Sequence, residues 1–189
     1  MKVLRFVTDV DRWSTLLPAE ADEVLFDLEK PKKRARNWKP PTVRRSAAAR
    51  AKHGDFRDLH AGQWAVTPRV AEHLGPWFTR AGELLPVKVD DGTDMFWFNC
   101  TDIRDAFDWD AGEVDVDEIV GYAFDAASLD GAGLFRLPHV LKPDPDDPDT
   151  WAFSWYQFVA VADGAADFPA LVAAGGYRGV EFREVWSDG

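Results

Sequence analysis

The sequence predicts an α+β fold: a mixed, largely antiparallel sheet, a few short helices and a long basic loop or arm near the N-terminus. Three observations predict it. Candidate strands outnumber candidate helices and mostly follow one another at hairpin-like spacing, which favours a mixed sheet with helices on one side. Thirteen Phe and nine Trp stand in a chain that is 46% hydrophobic, enough at this size to fill a core of its own. Ten of the 22 Lys and Arg residues fall between Lys30 and Gly54, a stretch with no acidic residue. The 189 residues fit a single domain, with 30–54 as the basic arm.

The elements follow in order. Val3–Thr8 alternates loosely among β-formers and reads as a strand, with Glu23–Leu28 as a second. Residues 30–54 carry Pro31, Pro40 and Pro41 and few large apolar side chains, so they read as exposed, with at most a short helix at Ser46–Lys52. The apolar run Gln63–Val66 leads into Thr67-Pro68, an N-cap followed by a proline suited to the first helical turn. Val70, Leu74 and Trp77 give this helix an apolar stripe, and Gly75-Pro76 is expected to break it early. Glu83–Val89 and Met95–Cys100 form a hairpin about the turn at 90–94, with Pro86 placing its first strand at an edge or bulge. Asp117–Phe124 and Gly133–Leu137 are further strands. Trp151–Val161, dense in aromatic and β-branched residues, is the strongest strand signal. Asp167 caps a short helix over Pro169–Ala174 that ends at Gly175-Gly176, and Val180–Trp186 is a final strand.

Composition excludes several classes of function. Arg5 and Asp9 interrupt the apolar start before it reaches the roughly 7–15 residues of a signal peptide. No run approaches the roughly 18 apolar residues that span a bilayer. A cytoplasmic protein is expected. The single cysteine, Cys100, excludes an internal disulfide and a Cys-based metal site, and beside Asn99 in a strand it reads as a small core residue. The net charge of −11 disfavours nucleic acid and anionic membranes and suits a basic partner. Solubility alone also favours acidic sequences. Outside residues 30–54, 12 basic and 33 acidic residues leave a net of −21. The basic stretch either grips phosphate or lies along this acidic surface. Only Trp38 offers a stacking face within it, so specific nucleic-acid binding is not expected.

The chemistry-bearing residues form no recognised catalytic pattern. His53, His60, His73 and His139 lack neighbouring ligands and read as surface histidines. Asp108-Trp-Asp110 and Asp115-Val-Asp117 resemble pieces of a calcium loop without the glycine and bidentate glutamate at the required offsets. Gly131-Ala-Gly133 lacks the third glycine of a nucleotide fingerprint, and no nucleophile elbow occurs. No catalytic residue, metal or cofactor is assigned, and the expectation is a binding protein rather than an enzyme. The alternatives are an enzyme with a cryptic acid–base site and a nucleic-acid module using the basic arm. Partner contact is assigned to acidic loops: Asp144, Asp146, Asp147 and Asp149, in a turn whose prolines hold it outward, with Asp108, Asp110 and Asp115 as a second patch. The plain alternative is that these loops only keep the surface solvated.

Several short segments, in order, resemble a known family. They are Ala65–Leu74 (AVTPRVAEHL), Glu83–Val87 (ELLPV), Phe96–Asp102 (FWFNCTD), Ala106–Asp108 (AFD), Leu134–Leu137 (LFRL) and Gly179–Phe182 (GVEF). Together, over roughly Asp55–Trp186, they resemble the myxobacterial-type immunity domain of bacterial polymorphic toxin systems. The long basic segment before Asp55 departs from that pattern. The resemblance implies a non-enzymatic protein that binds and neutralises a cognate protein toxin. Nucleases are among such toxins, and an acidic protein is suited to cover a nuclease's basic groove. It implies no site residues.

Overall fold

The computed structural model describes residues 1–19, 32–46, 52–59, 62–142, 151–162 and 167–189. The α+β class holds, but the strands form three sheets rather than one. The first has the order β10-β13-β1-β14, built from β1 (Lys2–Val7), β10 (Leu134–Arg136), β13 (Gln157–Val161) and β14 (Glu181–Ser187). The second has the order β2-β3-β6-β7-β5-β4. Its strands are β2 (Leu16–Pro18), β3 (Thr42–Arg45), β4 (Phe56–Asp58), β5 (Trp64–Val66), β6 (Gly82–Val89) and β7 (Asp94–Cys100). The third has the order β11-β12-β9-β8, from β8 (Glu113–Asp115), β9 (Glu118–Gly121), β11 (Val140–Leu141) and β12 (Ala152–Phe153). Two α-helices, α1 (Pro68–Ala81) and α2 (Phe168–Ala174), and two short 3-10 helices, Ala35–Asn37 and Ala126–Leu129, complete the described elements.

The pleat places alternate residues of a strand on opposite faces, and here each face feeds a different core. Phe98 and Cys100 of β7 face the central core with Phe6, Val159, Phe78 and Phe168, while Met95 and Trp97 face a second core with Leu16, Val43 and Leu85. In β13, Val159 joins the central core and Phe158 a third one with Val3, Phe107, Phe124 and Phe135. The first two sheets therefore share the central core with both helices, and the third sheet covers the far face of the first. Phe168 at the start of α2 meets Phe6, Phe78 and Trp77 at ring separations of 5.8, 5.4 and 5.8 Å. Close approach of backbone also needs glycine: at Gly179, φ is +98°, and a Cβ would lie 2.0 Å from the Phe56 carbonyl oxygen.

Both ends of the chain meet in one sheet. β1 lies between β13 and β14, with Lys2 opposite Val161 on one side and Ser187 on the other. The region of resemblance, Asp55–Trp186, therefore shares its first sheet with a strand that precedes it.

Three expectations are corrected, and a fourth holds only locally. Helix α1 does not break at Gly75-Pro76 but continues to Ala81, burying Val70, Leu74, Phe78 and Ala81. Pro76 and Glu72 are both exposed, so the hydrogen bond lost between the Glu72 carbonyl and the proline's missing N–H falls on the outer side of the helix rather than against the core. Trp151–Val161 is not one strand. Ala152–Phe153 pairs with β9 and β11 in the third sheet, and Gln157–Val161 pairs with β1 and β10 in the first. The basic segment 30–54 is not a free arm over its described part: β3 pairs antiparallel with β2 and parallel with β6, and Val43 is fully buried. The expected helix at Ser46–Lys52 and strand at Glu23–Leu28 fall largely outside the described residues. Pro86, finally, belongs to an interior strand. β3 reaches only Lys88 and Val89 of β6, however, so beside Pro86 the strand is locally an edge, and its carbonyl accepts the Trp38 indole N–H at 2.7 Å.

Two other local signals match the structure. The hairpin pairs Gly82 with Cys100 through to Lys88 with Asp94. Asp167 Oδ1 caps α2 by accepting from the Ala170 N–H at 2.5 Å. Thr67 stands at the N-cap of α1, but its hydroxyl points to Asp55 Oδ1, 3.5 Å away, instead of capping.

Candidate functional site

The third sheet ends in a long hairpin that carries most of the described acidic candidates. An antiparallel bridge between Phe107 and Phe124 closes its base, and β8 and β9 form its arms, with Asp115 opposite Glu118 at the tip. The inward face is apolar: Val114, Ile119 and Tyr122 pack on the third core, where Phe107 and Phe124 are buried. Tyr122 stacks on Phe124 at 6.0 Å and meets Phe158 edge-on at 5.4 Å. Burial raises the Tyr122 hydroxyl above its ordinary pKa, with the nearby Arg5 opposing. The hairpin is thus pinned to the fold along one face.

Its outward face is acidic and partly apolar. Glu113, Asp115 and Glu118 are exposed. The register shifts between Glu113 and Val114, which leaves Val120 as an unpaired bulge residue with 55% of its surface exposed. At the tip, Val116 is 91% exposed and has φ +58°. Two-residue hairpin turns require positive φ at their first position, where Gly or Asn is the usual residue. A β-branched residue held there is a steric outlier costing roughly 1–3 kcal/mol. Val116 is the only described residue other than glycine with positive φ.

The sequence-assigned contacts separate in the structure. Asp144, Asp146, Asp147 and Asp149 lie outside the described residues. Asp108 is half-buried at the hairpin base, where its Oδ1 accepts the N–H groups of Asp110 at 3.0 Å and Ala111 at 3.2 Å. Through that oxygen it shapes the loop into β8. Asp110 is exposed on that loop, and Asp115 is exposed beside the tip. The fold therefore places Asp110 and Asp115 on one hairpin, at opposite ends. Val116 escaped sequence reasoning: Asp115-Val-Asp117 reads as a failed calcium loop until the Asp115–Glu118 pairing makes Val116 a turn residue.

The remaining candidates have structural partners. His53 sits between two guanidinium groups, with Nε2 2.6 Å from Arg45 Nη1 and Nδ1 2.9 Å from Arg57 Nη2. Burial lowers the Arg57 pKa, and Asp91, 3.8 Å away, opposes that shift. Asp91 itself is held below the usual carboxylate range, chiefly by a hydrogen bond from the Thr93 side chain. His73 Nδ1 meets the Tyr177 hydroxyl at 2.5 Å, and His139 stacks on Phe153. His60 is outside the described residues. Cys100 is buried, and desolvation pushes its thiol up to about 12. Among the described residues, no group of three His, Cys, Asp or Glu side chains converges as a metal site, and no helix is long and apolar enough to cross a membrane.

The fold and this surface define a three-sheet α+β protein that displays a strained, acidic hairpin from a base packed on the third core. No protein-family model matches the sequence, and no curated protein matches it.

Proposed function

We propose that this is an immunity protein that binds a cognate toxin in the cytoplasm and neutralises it by protein–protein contact, with the hairpin 107–124 as a contact surface. The observation that carries the reading is Val116: a strained β-branched side chain, 91% exposed, at the tip of a hairpin with an acidic outward face. The strain gains almost no burial within the chain, and backbone strain of this kind concentrates at recognition sites. A valine flanked by Asp115 and Asp117 suits a partner that offers a small apolar socket rimmed by cations. The exposed carboxylates would steer a basic toxin surface onto it, raising the association rate. The sequence resemblance supplies the class of partner, and the hairpin supplies the surface.

The test is co-expression with the product of the neighbouring reading frame, scored by growth rescue and by co-purification. The proposal expects rescue and a stable complex with the native chain. It expects slower association for the variant Asp110→Asn/Asp115→Asn/Val116→Gly, with the largest deficit at low salt. Lack of both rescue and complex with the native chain would refute toxin neutralisation by this pair. Rescue and binding unchanged in the folded variant would remove the hairpin from the interface.

A further inference from the structure

The reading above leaves the basic segment before β3 without a role. Residues 32–39 curve around a concavity of about 430 Å³, lined among the described residues by Lys32, Lys33, Arg34, Arg36, Lys39 and Trp38, with Asn37. This volume lies within the range of small-molecule sites, roughly 300–1,000 Å³. We propose that the concavity binds a compact oligophosphate anion: the phosphate chain of a nucleotide or an inorganic oligophosphate.

The curve is held from behind by the second sheet. Glu83 accepts the backbone N–H groups of Arg34 at 2.7 Å and Ala35 at 3.3 Å. The Asn99 amide donates to the Lys32 carbonyl and to Glu83, each at 3.0 Å. Trp38 is pinned by its bond to the Pro86 carbonyl and packs on Trp97 at 5.4 Å. The Glu83 carboxylate thus orders the segment's backbone. Lys33, Arg36 and Lys39 are exposed and make no ion pair among the described residues. A segment ordered in advance, with several cations around one hollow, loses little freedom on binding an anion. The half-buried Trp38 adds a rigid ring on which a base can stack.

Charge elsewhere in the chain selects the size of the ligand. The net of −21 outside residues 30–54 repels an extended polyanion along its length. The Debye length is about 8 Å at physiological ionic strength. A compact anion seated in the hollow therefore responds mainly to the nearest cations. This favours a short phosphate chain over a nucleic-acid strand.

The experiment is calorimetric titration of the full chain at ~150 mM salt with ATP, inorganic tripolyphosphate, a single-stranded oligonucleotide and a glutamate-rich peptide. Saturable binding of ATP and tripolyphosphate is expected. The variant Lys33→Glu/Arg36→Glu/Lys39→Glu, verified as folded by circular dichroism and melting, should weaken both by about tenfold or more, equivalent to roughly 1.4 kcal/mol. Trp38→Leu should weaken ATP alone if the base stacks there. Equal weakening of both would assign the site to the phosphate chain only. No saturable binding of either phosphate ligand would overturn the proposal. So would tighter binding of the oligonucleotide, which makes the surface a nucleic-acid groove, or of the acidic peptide, which makes it a protein contact. None of these outcomes depends on a toxin, so the proposal and the immunity reading fail separately.

Discussion

Replacing Val116 by glycine should stabilise this protein. Positive φ costs a β-branched residue roughly 1–3 kcal/mol, and glycine removes that cost because it has no Cβ to clash. Two losses oppose the gain. Glycine gives the unfolded chain extra freedom worth about 0.5–1 kcal/mol, and the valine side chain surrenders whatever burial it has. At 91% exposure that second loss is small. The balance is a gain of about 1 kcal/mol, which for a chain of this size raises Tm by about 2–4 °C. Urea unfolding should show a higher midpoint with an unchanged slope, because the surface exposed on unfolding hardly changes. Val116→Ala is the control: it keeps Cβ and most of the clash, so it should gain little. Equal or lower stability for Val116→Gly, or an equal gain for Val116→Ala, would refute the argument that the turn is strained. If the hairpin meets a partner, the stabilised variant should bind more weakly, a trade of stability against function.

Two further predictions concern the core. The Cys100 thiol, pushed up to about 12 by burial, keeps its proton in the folded state while the unfolded thiol ionises near 8.5. Its contribution to stability is therefore fully present below about pH 8.5 and is lost as pH rises toward 12, by up to about 5 kcal/mol. Urea midpoints measured across that range should fall more steeply for the native chain than for Cys100→Ala, and iodoacetamide at pH 8 should label the thiol only after unfolding. Asp167→Ala removes the hydrogen bond that caps α2 and should cost about 1 kcal/mol, read as a lower melting temperature. An unchanged Tm would show that Phe168 packing alone holds the helix end.

Much of the fold was legible because its signals are local. The Asp-Gly turn with its flanking apolar runs announces the β6–β7 hairpin, and Asp167 with Gly175 brackets α2. Thr67-Pro68 places the start of α1, though not its end. The acidic surface was legible in part: Asp110 and Asp115 are exposed as read, whereas the fold uses Asp108 to shape its own loop.

By itself the sequence determined the α+β class, the hairpin at 83–100, the two helix starts and the buried character of Cys100. Each follows from the chemistry of neighbouring residues. Only tertiary structure decided where Trp151–Val161 divides, because an apolar run fits one strand or two equally well until β12 and β13 find partners in different sheets. Tertiary structure also decided that Thr42–Arg45 is a strand. One buried residue, Val43, among cations gives no period to read, and its pairing partners are distant in sequence. The same holds for Val116. Its positive φ follows from the Asp115–Glu118 register, and that register is set by Val114 and Ile119 packing inward on a core assembled from the rest of the chain.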